Sequence, residues 1–136
     1  MSKVKGTRAE RELFHLFWKN NFAAVRSAGS GSTTMPAPDI LAGNKNKLLA
    51  IECKSTKSNS RNLQKQEIEQ LTNFSKKINA TPILAMRFDN YGWFFLNAEK
   101  IKENKKGINY TISLKLCKES GINFQELIGK YKQLKL

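Results

Sequence analysis

Acidic residues are scarce in this chain: 11 Asp and Glu stand against 24 Lys and Arg, a formal net charge of +13 over 136 residues. So large an excess points to a polyanionic partner, and nucleic acid is the usual one. A basic surface kept for solubility is the other reading of charge alone. Cysteine is nearly absent. Cys53 and Cys117 are the only two and form no CxxC pair, which excludes a disulfide framework and makes a reducing, intracellular setting the default. The single histidine, His15, sits inside a helical pattern. That isolation argues against a His/Cys zinc site or a histidine-based catalyst, and for a satisfied ring that is buried or half-buried. No apolar run approaches the ~18–20 residues of a membrane span. The opening "MSKVKGTRAER" is basic and lacks the apolar stretch of a signal peptide. The expectation is a soluble, cytoplasmic protein with no membrane contact.

What is present suffices for one globular domain over residues 1–136. Hydrophobic residues make up 40% of the chain and prolines number three, a composition that buries a core without covalent staples. Residues 7–20 read as an amphipathic helix, with Thr7 as N-cap and Leu13, Phe14, Phe17 and Trp18 at helical spacing. "FAAVRSA" is a short strand and "GSGSTTMPAP" a loop of turn residues. "DILAG" and "KLLAIECK" are two strands around the turn "GNKN", and "STKSNSRN" is a polar, basic link. A helix spans 63–79, with Ile68, Leu71, Phe74, Ser75 and Ile78 on one face. "TPILAMRFD" and "WFFLN" pair around "NYG"; "AEKIKENK" is a short helix or turn, "YTISLKL" a further strand, and "NFQELIGKYKQLKL" a basic terminal helix. The hairpins impose antiparallel pairs, so the fold class is α/β with a mixed sheet flanked by helices.

The few acids are not scattered. Alternation along "KLLAIECK" sends Ala50, Glu52 and Lys54 one way and Leu49, Ile51 and Cys53 the other, into a core. Asp39 opens the preceding strand, and across a hairpin the start of one strand lies beside the end of the next. Asp39 and Glu52 are therefore neighbours. Two adjacent carboxylates repel unless a cation or a proton lies between them. Mg2+ fills such a place through one or two carboxylates, keeps several waters and takes a phosphate oxygen as a further ligand. With Lys54 offsetting developing charge, these parts suit metal-assisted phosphodiester hydrolysis. The bland reading is an aspartate capping a turn after Pro38, with Glu52 and Lys54 on an ordinary solvated strand face.

"PD" followed after a short hairpin by "ECK" resembles the PD-(D/E)xK nuclease motif. With "KGTRAERE" upstream and "FAAVRSAGSGS" between, the chain resembles the archaeal-type Holliday junction resolvases, from about residue 5 to residue 79 and more loosely through "GWFF". The resemblance implies a restriction-endonuclease-like mixed β-sheet flanked by helices. It also implies a homodimer dependent on Mg2+, with Mn2+ able to substitute, that binds four-way DNA junctions. Paired nicks on opposed strands would leave ends that ligase can seal. It assigns catalytic roles to Glu10, Ser30, Asp39, Glu52 and Lys54. Metal binding falls to Glu10, Asp39, Glu52 and the backbone carbonyl of Cys53. Arg11 and Arg26 match residues that handle substrate, and Phe74 and Ile78 match a dimer contact that is often aromatic at both positions.

Several of these residues carry a second reading. "Thr7-Arg8-Ala9-Glu10" has the pattern of a capping box, in which Glu10 folds back on the cap amide instead of meeting a metal. Ser30 and Ser32 lie in a Gly-Ser loop that either approaches phosphates or is simply flexible. Lys3, Lys5, Arg8 and Lys57 read as phosphate contacts in aggregate, each individually no more than a solvated charge. Trp93, Phe94 and Phe95 read as sheet packing or as part of a subunit interface. Two functions rival resolution of junctions: a restriction-type nuclease on the same fold, and a non-catalytic basic DNA-binding protein, which would have no reason to keep Asp39, Glu52 and Lys54 together.

Overall fold

The computed structural model describes residues 3–27, 35–102, 107 and 109–129. Helix α1 (Lys3–Lys19) precedes strands β1 (Ala23–Arg26), β2 (Ile40–Gly43) and β3 (Leu48–Thr56). Strand β4 (Ser60–Gln64) leads into helix α2 (Lys65–Lys77), followed by β5 (Thr81–Phe88) and β6 (Gly92–Asn97). A 3-10 turn (Ala98–Lys100), β7 (Asn109–Ser113), α3 (Leu114–Ser120) and α4 (Phe124–Leu127) complete the order.

The main sheet has five strands in the order β1-β2-β3-β5-β6, and β4 pairs with β7 in a separate two-stranded sheet. Neighbours in the main sheet run antiparallel except β3 and β5, which are parallel and joined through α2. A parallel pair needs such a crossover, whereas the hairpins need only tight turns. In the β2–β3 turn the Asn44 side chain accepts the N–H groups of Asn46 and Lys47 at 2.8 and 2.9 Å. This is the self-bonding that makes Asn a turn residue.

Helices and the small sheet cover both faces of the central strands. One core lies between the sheet and α1 with α4, around Leu13, Phe17, Ile51, Cys53 and Phe95. The other lies under α2, α3 and the β4–β7 sheet, around Ala50, Leu71, Leu84 and Ile112. The single core face expected for β3 is thus two, and Ala50 is fully buried on the face shared with Glu52.

The expected α/β architecture is present, with local corrections. α1 starts at Lys3, so Thr7 is helical and not an N-cap, and the capping-box reading of Glu10 falls. A cap stabilises by about 1 kcal/mol, too little to stop a helix that can extend by another hydrogen-bonded turn. β4 starts within the polar link and runs into the first residues expected for the next helix; its only buried residue is Leu63, so it has no period-2 signature. α2 begins at Lys65, two residues later than its pattern suggests. "YTISLKL" divides at Ser113, whose side chain accepts the Leu116 N–H at 2.9 Å and starts α3. The terminal helix is one turn long and runs into Gly129 at φ 78, and residues 130–136 lie outside the described ones. His15 is exposed and meets the ring of Phe14 edge-on instead of being buried. Trp18 is exposed as well, at 52%, while Leu13 and Phe17 fill the core.

Candidate active site

The β2–β3 ladder stops at Ile40 opposite Ile51. One step further, the same register sets Asp39 opposite Glu52, as the hairpin argument required. Beyond Ile51, β3 continues to Thr56 paired with β5, and no strand among the described residues lies on its other edge. Asp39 fills that edge: its Oδ2 accepts the backbone N–H of Cys53 at 2.8 Å, while its own carbonyl accepts from Ser27 at 3.0 Å. A side chain here takes the place of a strand. In an extended strand a residue's N–H and C=O point to the same side, so the Cys53 carbonyl opens toward the edge where Asp39 lies.

Burial dominates the electrostatics. Desolvation, and then the negative charge of Asp39, push the Glu52 carboxyl up to about 8, against the attraction of Lys54. Desolvation also raises Asp39; the Cys53 N–H, Lys54 and the Glu52 side chain hold it back. Two buried carboxyl groups placed together favour a shared proton, or a cation in its place. The Cys53 thiol faces the opposite core, and its burial pushes it well above the ordinary thiol range; it is not a nucleophile.

Lys54 is clamped. Its Nζ lies 3.5 Å from Glu52 Oε2 and 2.6 Å from Oε1 of Glu67 on α2. Burial by itself would lower the lysine, but the Glu67 hydrogen bond and the Glu52 charge outweigh it and raise Lys54 above its ordinary value. Burial would likewise raise Glu67; bonds from Lys54 and the Gln64 N–H reverse this and lower it. The sequence reading missed Glu67. Its place three residues after Gln64 is a helix-start signal, and nothing in that spacing names Lys54.

Glu10 projects from α1 toward the same end of the sheet, with Arg26 Nη2 at 3.5 Å from its Oε1. Burial and the charge of Asp39 raise Glu10, while Arg26 and Lys54 oppose them. Among the described residues no three His, Cys, Asp or Glu side chains come together with metal-binding spacing. What the hairpin end offers a hard cation is two carboxylates, Asp39 and Glu52, and a backbone oxygen at Cys53. That set fits Mg2+, which binds through one or two carboxylates and keeps its waters, and it does not fit Zn2+. Glu10 is paired with Arg26 and lies close enough to feel the charge of Asp39.

The remaining candidates divide by location. Arg8 and Arg11 are exposed on α1 and Lys57 is exposed just after β3. Arg26 is half-buried against Glu10, and its Nε has no partner among the described residues. Lys3 and Lys5 belong to α1, but their side chains lie outside the described residues, as do Ser30 and Ser32. Phe74 packs half-buried at the margin of the α2-side core, and Ile78, just past α2, is 38% exposed. Trp93 is tied down within the chain, donating to Glu12 at 2.6 Å.

Comparison with known proteins adds to this geometry. The family described as archaeal Holliday junction resolvase (Hjc) matches residues 1–136. The chain is 37% identical over 133 residues to the crossover junction endodeoxyribonuclease Hjc of Archaeoglobus fulgidus, covering 94% of this chain and 98% of that one. It is 39% identical over 132 residues to the Hjc of Methanocaldococcus jannaschii, covering 97% and 92% of the two chains. The solved structure of A. fulgidus Hjc, a Holliday junction resolvase from an archaeal hyperthermophile, superposes with a TM-score of 0.83 at 35% identity, over 91% of this chain and all of that one.

Proposed function

The chain belongs to the archaeal Holliday junction resolvase family, and on that premise we propose that it resolves four-way DNA junctions through a divalent ion held at Asp39 and Glu52. The observation that carries the metal site is the buried Asp39–Glu52 pair, which the strand register sets side by side at the end of β3 that β2 leaves open. Bound there, Mg2+ would polarise a phosphate oxygen and supply an activated water at neutral pH, with Mn2+ able to take its place.

The protein's own groups do the remaining work. Asp39, anchored by the Cys53 N–H, keeps its carboxylate aimed across the hairpin end. Lys54, charged and close to Glu52, faces the negative charge that builds on the phosphorane oxygens. Arg8, Arg11 and Lys57 lie exposed on elements that border the site and bind backbone phosphates, with Lys3 and Lys5 adding charge at the start of α1. Glu10 is paired with Arg26 at the site's margin and would add a third carboxylate to the ion's ligands. Ser30 and Ser32, which follow β1 in the sequence and lie outside the described residues, would contact the cleaved strand. Two copies of the chain, meeting through Phe74 and Ile78, would set two such sites on opposed strands of a nearly twofold substrate, and so make paired nicks. Selectivity then comes from junction shape and deformability, because phosphate contacts carry no sequence information. A DNA-processing enzyme of this kind works in the cytoplasm.

The test is cleavage of a synthetic four-way junction with Mg2+ or with EDTA, beside a linear duplex of the same arm sequences. Paired nicks on the junction alone, abolished by EDTA, are expected. Equal cutting of the linear duplex would make this a restriction-type nuclease. Tight junction binding without cutting under any divalent ion would reduce it to a binding protein.

A further inference from the structure

We infer that Glu67 is a positioning residue for DNA cleavage: its carboxylate, fixed by the first turn of α2, holds the Lys54 ammonium beside the metal carboxylates. This rests on the reading of Lys54 as catalytic. Both oxygens of Glu67 are in use. Oε1 meets Lys54 Nζ at 2.6 Å, and Oε2 accepts the Gln64 N–H at 3.0 Å. The second bond ties the carboxylate to the helix start, so its orientation is set by backbone and not by the lysine it faces.

The two partners of Lys54 are not equivalent. Glu52 is the more distant, at 3.5 Å, and its carboxylate belongs to the set that a divalent ion would occupy. Once committed to a cation, Glu52 attracts an ammonium less, and the cation itself repels one. Glu67 lies outside that set and stays available. A lysine has a long flexible stem, and only a second, independently anchored carboxylate keeps its charge at one point while the first is in use. Glu67 is also half-buried, with its side chain 32% exposed, so the contact is partly shielded from solvent.

Glu67→Gln separates this role from simple helix capping. Glutamine serves at the third position of a capping box as glutamate does, so the variant keeps the Gln64 N–H bond. It replaces the charge facing Lys54 with a neutral amide. The expected result is a fall in junction kcat of about 10- to 100-fold, the size that misplacement of a reacting group by about 1 Å produces. Junction affinity in EDTA should stay within twofold and the melting temperature close to wild type. In the metal-free protein, the 15N ammonium resonance of Lys54, slowed in exchange by its bond to Glu67, should disappear in the Gln variant and return in part in Glu67→Asp. Full activity in Glu67→Gln beside an inactive Lys54→Ala would overturn the inference and leave the catalytic lysine intact. An unchanged Lys54 resonance in the Gln variant would overturn it too, because the lysine would then be held by something else. Full activity in Lys54→Ala would instead overturn the reading of Lys54 beneath it.

Discussion

Residues 48–51 and 52–56 of β3 share a strand and a partner in β5, yet they end in different environments. The first half has β2 on its other edge, and Leu49, Ala50 and Ile51 are all buried. The second half has no strand there among the described residues, because β2 ends at Ile40; a side chain, Asp39, takes up the amide of Cys53 instead. The first half is built for stability. The second brings Glu52 and Lys54 together with Asp39 from the β2 side and Glu67 from α2, where desolvation works against every charge that is not paired. A strand that outruns its neighbour thus produces, within a few residues, both a core and a site.

The largest effect that would break this contrast lies in the second half. Asp39→Asn keeps a hydrogen-bond acceptor for Cys53 but removes a metal charge, and should cut junction cleavage on the order of 100- to 1000-fold while leaving junction binding in EDTA within a few-fold. Loss of binding and cleavage together, on gel-shift and nicking assays, would make Asp39 a structural residue. In the first half the expected loss is stability. Ile51→Ala, at a fully buried position, should cost about 2–5 kcal/mol in urea unfolding with little change in activity of the folded fraction.

A smaller effect sharpens the comparison through pH. Burial pushes the Glu52 carboxyl up to about 8 in the folded, metal-free protein, from an ordinary value of 4.5. Between those values the folded chain holds a proton that the unfolded chain releases. Its contribution to stability is therefore complete below 4.5 and is lost as pH rises through 8. Asp39 shifts in the same direction, whereas Glu67 is lowered and Lys54 raised, so both titrate outside this window. Metal-free wild type should melt lower at pH 9 than at pH 6, and Glu52→Gln should lose much of that slope. Mn2+ binding at pH 7 should release protons, read by calorimetry in buffers of different ionisation heat. A flat pH dependence of the wild-type to Gln difference would mean that the carboxyl pair is not protonated.

The smallest effects belong to the surface. Arg8→Ala with Arg11→Ala should leave stability within about 0.5 kcal/mol. If both residues contact duplex arms, the double variant should lower the slope of log affinity against log salt by about 0.9 for each phosphate lost. An unchanged slope would place the DNA on another face.

Much of this was legible in order and period. The hairpin from "DILAG" to "KLLAIECK" read true because alternation and an Asn turn are local, and its register followed from them: Ile40 opposite Ile51 puts Asp39 at Glu52. β4 was not legible. One buried leucine has no period, and its strand exists only because residues 109–113 lie beside it. Glu10 misled in a different way: its spacing from Thr7 is that of a capping box, but α1 runs through both, and the glutamate turns to Arg26 across the fold.

By itself, then, the sequence determined the mixed α/β class, the hairpin and the meeting of Asp39 with Glu52, since these follow from side-chain alternation and short-range turn chemistry. Only the tertiary structure decided that both faces of β3 are covered, that burial drives a proton onto the carboxyl pair, and that α2 delivers Glu67 to Lys54. Those depend on how segments distant in the chain pack together, and desolvation has no signature in the order of residues along it.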